Sequence, residues 1–400
     1  MLIRVVDYLA SQGGGVRFTG ETIAGILRLR PNARIEIVST AAGLNTYRDA
    51  LIGFDGQIRF SEIKPVGCWK GGNERLLNIP GTGQLVQLLR GGRDWSYELP
   101  RAVYRGCDVV WLPWANRHLI PNSDGCPIVA TIHDLIPLEH PDVSTTSWRD
   151  AEQASLRSLR ENRTRVVTSS VATAHALARL GAIPFEEIKV LPLGDDHGFD
   201  GSAQIPGIWE WYQKPYLIYP ANISPHKNHE TLLAAIGRWK NRYPLVLTGG
   251  GTDSIVSGGG RGSQLLLRAE REGLRIGIDV IPLGAIDAPS FFSLIAHAWA
   301  CVIPSIAEGV CLPALEALVR GVPLVCSDIA PIREQLERLG GTGLWFDPQD
   351  VVKLSARLEE LSENYASLKA TAVDQVGRLQ RRSWSQVAED YLSVLGAAQH

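Results

Sequence analysis

The strongest constraint on this chain is an alternation that runs from end to end: short, almost wholly apolar stretches separated by helix-like patterns. Leu2–Val6, Ile35–Val38, Val109–Leu112, Ile128–Ile132, Val166–Ser169 and Ile188–Pro192 form a first series. A polar stretch with Gly and Pro near 194–214 follows. Then comes a second series: Tyr216–Tyr219, Leu245–Thr248, Val280–Leu283, Cys301–Ile303 and Leu324–Ser327. Strands this short and continuously apolar are buried on both faces, as in parallel sheets covered by helices. Two series predict two doubly wound α/β domains, over residues 1–195 and 206–383. Such sheets bind ligands beyond the carboxyl ends of their strands, so a cleft between the domains is the expected site. Residues 250–263 (GGTDSIVSGGGRGS) read as a flexible surface loop. Trp384–Leu395, apolar at Trp384, Val387, Ala388, Tyr391, Leu392 and Leu395, reads as an amphipathic helix.

Composition narrows the function classes. The chain has 400 residues, 45% hydrophobic and 20% charged, as a globular enzyme does. A formal net charge of −2 gives no global attraction for nucleic acid. The six cysteines make no C-x-x-C pair and no metal-like spacing with histidine, which fits a reducing, cytoplasmic compartment. The first ten residues read as a strand rather than a signal peptide. No apolar run approaches the ~18 residues of a membrane span, so any membrane contact is expected to be peripheral.

Residues 304–323, PSIAEGVCLPALEALVRGVP, carry the densest chemistry. Ile303 closes a buried strand, and Pro313 suits the first turn of a helix that continues through Val319. Glu308 then lies in the loop before the helix and Glu316 inside its first turns, with Gly309 between them. The amides of Val310, Cys311 and Leu312 are expected to approach the helix N-terminus with few carbonyl partners, as an anion site. Two carboxylates flanking a phosphate site point to a sugar nucleotide. Standing alone, Glu-x7-Glu is equally a helix cap and a solvated helix face.

Two further loops follow strands. In 219–231, YPANISPHKNHET, His226 and Lys227 stand where a compact cation can neutralise the diphosphate of a leaving nucleotide. In 129–141, VATIHDLIPLEHP, His133 emerges at a strand end, where it could bond a sugar hydroxyl or guide a proton. His118 and His140 have no such placement and read as surface residues. Gly13-Gly14-Gly15 follows the first strand and precedes a helix expected near Thr19; glycines there let backbone approach a phosphate or sugar. A dinucleotide fingerprint does not fit, because Phe18 takes the place of its third glycine and the second strand ends in Ser39. No D-x-D pair and no Cys/His cluster is spaced for a metal, so no metal cofactor is expected.

Taken together, EGVCLPALEAL with GVPLVCSD, NISPHKNHETLL, TIHDLIPLEHP and VVTSSVATAHALARLGAIPFEEIKVLPLGDD resemble family 4 retaining glycosyltransferases of the GT-B fold. The flavour is that of the bacterial mannosyltransferase-like subgroup that builds surface polysaccharides. The resemblance implies a first domain that binds the acceptor and a second that binds the nucleotide sugar, with the terminal helix (384–400) crossing back to the first. It implies that Glu308 faces the donor sugar, Glu316 takes the ribose hydroxyls, and Lys227 with Gly309, Val310, Cys311 and Leu312 holds the diphosphate. Gly14 and Gly15 would close on the donor, His133 would sit beside the reacting sugar, and Leu283 would end a strand that contacts the base. Three departures stand out. Gly309-Val310-Cys311 replaces the usual Gly-Phe-Gly, His226 replaces an arginine before the lysine, and Asn222 stands near the place of a further missing arginine. The implied reaction moves a hexose, mannose from GDP-mannose by first choice, to a glycan or lipid-linked glycan. Its rivals are a nucleotide-sugar epimerase on the same fold and an inactive sugar-nucleotide-binding partner protein. Trp69, Lys70, Arg75, Leu76, Leu77, Leu85 to Arg93, Trp95 and Arg101 mix aromatic, apolar and basic residues in a manner suited to anionic lipid.

Overall fold

A computed structural model describes residues 1–8, 14–54, 56–63, 66–68, 96–116, 118–120, 123, 125–181, 183–196 and 214–398. The chain divides into two compact units, residues 1–194 with 383–400 and residues 195–382. The lipid-docking stretch proposed around residues 69–95 lies outside the described residues, as does Gly13.

The strands of the first unit are β1 (Leu2–Val6), β2 (Arg34–Ser39), β3 (Ile58–Glu62), β4 (Val66–Cys68), β5 (Ser96–Glu98), β6 (Val109–Leu112), β7 (His118–Leu119), β8 (Ile128–Ile132), β9 (Arg165–Thr168) and β10 (Ile188–Val190). Seven of them form one parallel sheet in the order β10-β9-β8-β6-β1-β2-β3, while β4, β5 and β7 make a small separate sheet. Its helices are α1 (Gly14–Leu29), α2 (Ala41–Ala50), α3 (Ile136–Glu139), α4 (Thr146–Glu161) and α5 (Val171–Arg179). In the second unit β11 (Leu217–Pro220), β12 (Leu245–Thr248), β13 (Val280–Pro282), β14 (Ala300–Ile303), β15 (Leu324–Ser327) and β16 (Leu344–Phe346) form a parallel sheet ordered β13-β12-β11-β14-β15-β16. Its helices are α6 (His229–Arg238), α7 (Ser254–Ser257), α8 (Gly260–Arg271), α9 (Ala288–His297), α10 (Leu312–Leu318), α11 (Ala330–Leu339), α12 (Val351–Glu363) and α13 (Tyr365–Val376).

Every residue of β6, β8, β11, β12, β14 and β15 is buried, which is why these segments read as unbroken apolar runs. In each sheet the chain winds outward one way from its first strand and then returns to build the other side. The first unit therefore has its topological switch between β1 and β6, and the second between β11 and β14. Loops at those two places are set apart by strands whose crossovers diverge, and that leaves open crevices for ligands.

The structure departs from the sequence reading in three places. Residues 250–263 are not a loop: α7 and the start of α8 lie there, with Ile255 fully buried. A Cβ on Gly262 would stand 2.2 Å from the Ser254 hydroxyl, so the glycines that mimic a flexible loop are there to let two short helices touch. Helix α1 begins at Gly14, not near Thr19. His118 is buried on β7, packed against Tyr8 with ring centroids 5.6 Å apart, and its Nδ1 faces the Asn116 carbonyl at 3.1 Å. A two-residue strand carries no periodicity from which that burial could be read.

The last helix, α14 (Trp384–Ala397), belongs to the first unit. Ser383 and Gln386 form a capping box at its start: Gln386 N donates to Ser383 Oγ at 3.1 Å and Ser383 N to Gln386 Oε1 at 2.8 Å. Trp384, Val387, Ala388, Tyr391 and Leu395 are buried, and each large apolar side chain so buried contributes about 1.5–3 kcal/mol. Tyr391 meets Trp111 (5.0 Å between centroids) and Phe18 (5.7 Å), and its hydroxyl lies 3.0 Å from Thr131 Oγ1, which also accepts from Trp111 Nε1 at 3.1 Å. Helix α1 can come this close to α14 only because position 25 is glycine. A Cβ there would stand 2.6 Å from Ala388 Cβ and 3.1 Å from the Trp384 carbonyl.

Alanine normally outperforms glycine inside a helix by about 0.5–1 kcal/mol. At Gly25 the sign should reverse, with Gly25→Ala costing about 1–3 kcal/mol through overpacking. Gly396→Ala, on the partner helix with nothing within 4 Å, should be neutral or stabilising. Urea unfolding of both variants checks the pair; a stabilised Gly25→Ala would show that the two helices do not rest on that contact.

Candidate functional site

At the switch point of the second unit, the loop after β11 meets the loop after β14. Asn222, exposed, turns the first loop by accepting Ser224 N at 3.0 Å through Oδ1. Pro225 starts a single 3-10 turn through Lys227, and Asn228 ends it in the left-handed region (φ 58°, ψ 38°) before α6 begins. Asparagine tolerates that conformation, and its side chain here does further work. Asn228 Nδ2 donates to the carbonyls of Pro304 (2.9 Å) and Pro348 (2.7 Å). Ile306 N donates to the His226 carbonyl at 2.8 Å, and the buried Tyr219 hydroxyl donates to the Lys227 carbonyl at 2.8 Å while lying 3.0 Å from Ser305 Oγ. The two loops are thereby fixed to one another by main-chain and buried side-chain bonds.

The result is a direct meeting of two residues singled out in the sequence. Lys227 Nζ reaches Glu308 Oε1 at 2.7 Å and Oε2 at 2.8 Å. The carboxylate is 6% exposed and the ammonium 19%. Glu316, one turn into α10, is 1% exposed, so it does not lie on a solvated helix face. Gly309 and Cys311 are buried between the two glutamates, and burial, with Glu308 nearby, pushes the Cys311 thiol well up.

The expected row of open amides needs correcting. Cys311 N already donates to Gln335 Oε1 at 2.8 Å, from helix α11 of the next βα unit. Among the described residues that leaves the amides of Val310 and Leu312 without a hydrogen bond at the start of α10, with Pro313 supplying none. No local spacing announces Gln335. Gly249 was missed for a related reason: its φ of +130° and the 2.6 Å between a Cβ there and the Ala221 carbonyl carbon demand glycine, but the contact is between strands far apart in sequence. Leu283 stands one residue past β13, its N donating to the Leu247 carbonyl at 2.8 Å.

In the first unit, His133 follows β8 as expected, next to the switch strand β6. Its Nε2 faces the Pro113 carbonyl at 3.1 Å and its Nδ1 faces Ser169 Oγ at 2.8 Å. A carbonyl only accepts, so Nε2 carries the proton and Nδ1 accepts from the serine. Burial lowers the imidazole to about 4, opposed in part by the bond to Pro113, so the ring is neutral at pH 7. Phe18 and Trp114 flank it at 4.6 and 4.9 Å. Both nitrogens are committed to the protein, so bonding a sugar hydroxyl or guiding a proton means surrendering one of these bonds. Gly14 and Gly15 open α1, and a Cβ on Gly15 would stand 3.0 Å from the Trp114 ring. Two buried carboxylates escaped the sequence reading. Asp7, just past β1, accepts the Tyr47 hydroxyl at 2.6 Å, and Glu152 on α4 accepts Asn116 Nδ2 at 2.8 Å. Among the described residues no group of three or more His, Cys, Asp or Glu is placed to hold a metal, and no helix is long and apolar enough to cross a membrane.

Comparison with known proteins shows what the chain is similar to. Residues 204–376 match the family Glycosyl transferases group 1. The O-antigen chain mannosyltransferase B of Escherichia coli is 30% identical over 241 residues, 58% of this chain and 60% of that protein. The O-antigen chain mannosyltransferase RfbU of Salmonella typhimurium is 23% identical over 235 residues, with the same coverage. The chain thus spans about 60% of the length of these curated relatives. Among solved structures, Anabaena HepE in complex with UDP and glucose superposes with a TM-score of 0.67 at 17% identity, over 99% of this chain and 100% of that one. WaaG, a glycosyltransferase involved in lipopolysaccharide biosynthesis, does so at 0.65 and 14%, over 98% and 99%. The two Rossmann-like units are thus of GT-B type, and the second, with its ion pair at the switch point of the sheet, holds most of the stretch that matches glycosyl transferases group 1.

Proposed function

We propose that this chain is a retaining glycosyltransferase that moves a hexose from a nucleotide sugar to a glycan or lipid-linked glycan acceptor in surface polysaccharide synthesis. The observation that carries the reading is the Lys227–Glu308 pair, part-buried where a doubly wound sheet opens its ligand crevice. An incoming diphosphate competes for the ammonium of Lys227, with the Val310 and Leu312 amides beside it. That releases the Glu308 carboxylate to accept hydroxyls of the transferred sugar. Glu316, buried in α10, takes the ribose hydroxyls, and His226 adds a donor whose charge depends on pH. The acceptor oxygen bonds to the anomeric carbon on the face from which the phosphate departs, and its proton passes to a phosphate oxygen. Charge stabilisation of the leaving diphosphate drives that step, with no protein nucleophile and no metal ion required. The neutral, doubly bonded His133 serves here to hold β8 against the loops at Pro113 and Ser169.

Mannose from GDP-mannose is the first choice of donor, supported by the mannosyltransferases among the relatives. UDP-glucose is the competitor, since HepE was also solved with it. A panel of sugar nucleotides measured by thermal shift decides, because a ligand at 100 times its Kd stabilises by about 2.7 kcal/mol. The donor that stabilises should be consumed only when an acceptor glycan is supplied, and turnover should continue in excess EDTA. Release of a free epimer without acceptor would favour the epimerase reading, and a loss of turnover that Mg²⁺ restores would overturn the metal-independent phosphate site.

The ion pair separates chemistry from binding. Glu308→Gln keeps the shape and removes the charge, and should lower turnover on the order of 10²–10³-fold while the donor still binds. Lys227→Ala should weaken the nucleoside diphosphate itself by about 10–100-fold, the value of a hydrogen bond to a charged group. Calorimetric titration with the nucleoside diphosphate checks the second effect; unchanged affinity would place Lys227 outside the phosphate site.

A further inference from the structure

The strongest feature outside the candidate site is a pair of thiols at the opposite end of the first sheet. Cys107 lies two residues before β6 and Cys126 two residues before β8, and these strands are neighbours with Val110 opposite Ile128. The two Sγ atoms are 3.9 Å apart, and both side chains are half-buried, reachable by small solutes. A guanidinium is fixed beside one of them. Arg4, on β1, holds Glu36 through Nε (2.9 Å) and Nη2 (2.7 Å). Its Nη1 donates to the carbonyls of Val103 and Arg105, both at 2.7 Å, and reaches Cys107 Sγ at 3.5 Å. The guanidinium bonds Cys107 directly, so the pair is chemically unequal.

We propose that Cys107 and Cys126 are a redox-active dithiol that closes to a disulfide under peroxide, with Cys107 attacking first and Cys126 resolving. Forming the bond brings the sulfurs from 3.9 Å to about 2.05 Å, between two residues that lead into adjacent strands. The Cys107 thiolate attacks one peroxide oxygen, the O–O bond breaks, and the departing hydroxide takes a proton to leave as water. Cys107 is then a sulfenic acid. The Cys126 thiol gives up its proton, its sulfur bonds to Cys107 Sγ, and the hydroxyl group leaves as a second water. Two thiols and one hydrogen peroxide become one disulfide and two waters. A thiol reductant reverses the change.

The surroundings support this order of attack. A hydrogen bond from Cys126, helped by attraction to Arg4 and opposed by burial, lowers Cys107 to about 7; the same bond raises Cys126. Cys301, Cys311 and Cys326 are buried and pushed up by burial, so they do not compete for oxidant. The disulfide would staple the amino ends of β6 and β8, away from the carboxyl ends that carry Asn116 and His133. It closes a loop that contains β6, β7 and the turn at Pro113–Asn116, so its effect falls on the stability of the first unit.

The test treats the full-length protein with hydrogen peroxide at neutral pH and maps its peptides by mass spectrometry. The expected product is one linked peptide joining Cys107 to Cys126, lighter by two hydrogens, regenerated by dithiothreitol, with a raised unfolding temperature in the oxidised form. Cys126→Ser should leave Cys107 trapped as a sulfenic acid that dimedone captures, and Cys107→Ser should abolish both products. If a mutant fails to fold, the order of alkylation in the wild-type protein serves instead: iodoacetamide should reach Cys107 before Cys126. Over-oxidation of Cys107 without a linked peptide, or faster alkylation of Cys126, would overturn the proposal.

Discussion

The candidate site is organised around one part-buried ion pair. Taking an ammonium and a carboxylate partly out of water costs desolvation that their attraction offsets only in good geometry. The pair therefore survives only where the surroundings hold both charges in register. Here they do: the Asn228 amide, the Tyr219 hydroxyl and the Ile306–His226 main-chain bond tie the lysine's loop to the glutamate's loop. The left-handed turn at Asn228 and the close approach of Gly249 to Ala221 and Asn222 shape the two ends of the lysine's loop. Under the proposed function, that rigidity means a donor meets a charge already aimed at it.

Much of this was legible in the sequence, and the reasons differ by element. Strands such as Leu245–Thr248 and Val109–Leu112 could be bounded to the residue because parallel strands buried on both faces leave no polar position to blur the ends. Lys227 and Glu308 could be located as loop residues after strands, although their contact could not, because it joins loops 81 residues apart. Gln335 and Gly249 were invisible, since each acts on a segment far away in sequence while its own neighbours look ordinary. The glycine-rich run at 250–263 misled for the opposite reason: glycine marks a loop by its freedom, but also marks the place where two helices must touch.

The first unit buries polar groups of a different kind. Asp7, Glu152 and His133 each end near the switch strands, and each bonds a neutral group: Tyr47, Asn116, and the pair Ser169 with Pro113. Neutral donors keep a buried acid satisfied without adding a second charge to be desolvated.

Helix α14 gives the chain a direction in time. Phe18, Trp111 and Thr131 are in place early in synthesis, yet the side chains that cover them, Trp384 and Tyr391, leave the ribosome only after the whole second unit. Residues 195–382 already contain every strand of their own sheet when they emerge. The first unit is thus begun before the second and completed after it, and it waits through nearly two hundred residues of elongation with an aromatic face uncovered. For a nascent chain, that face is where a chaperone has its longest opportunity to bind.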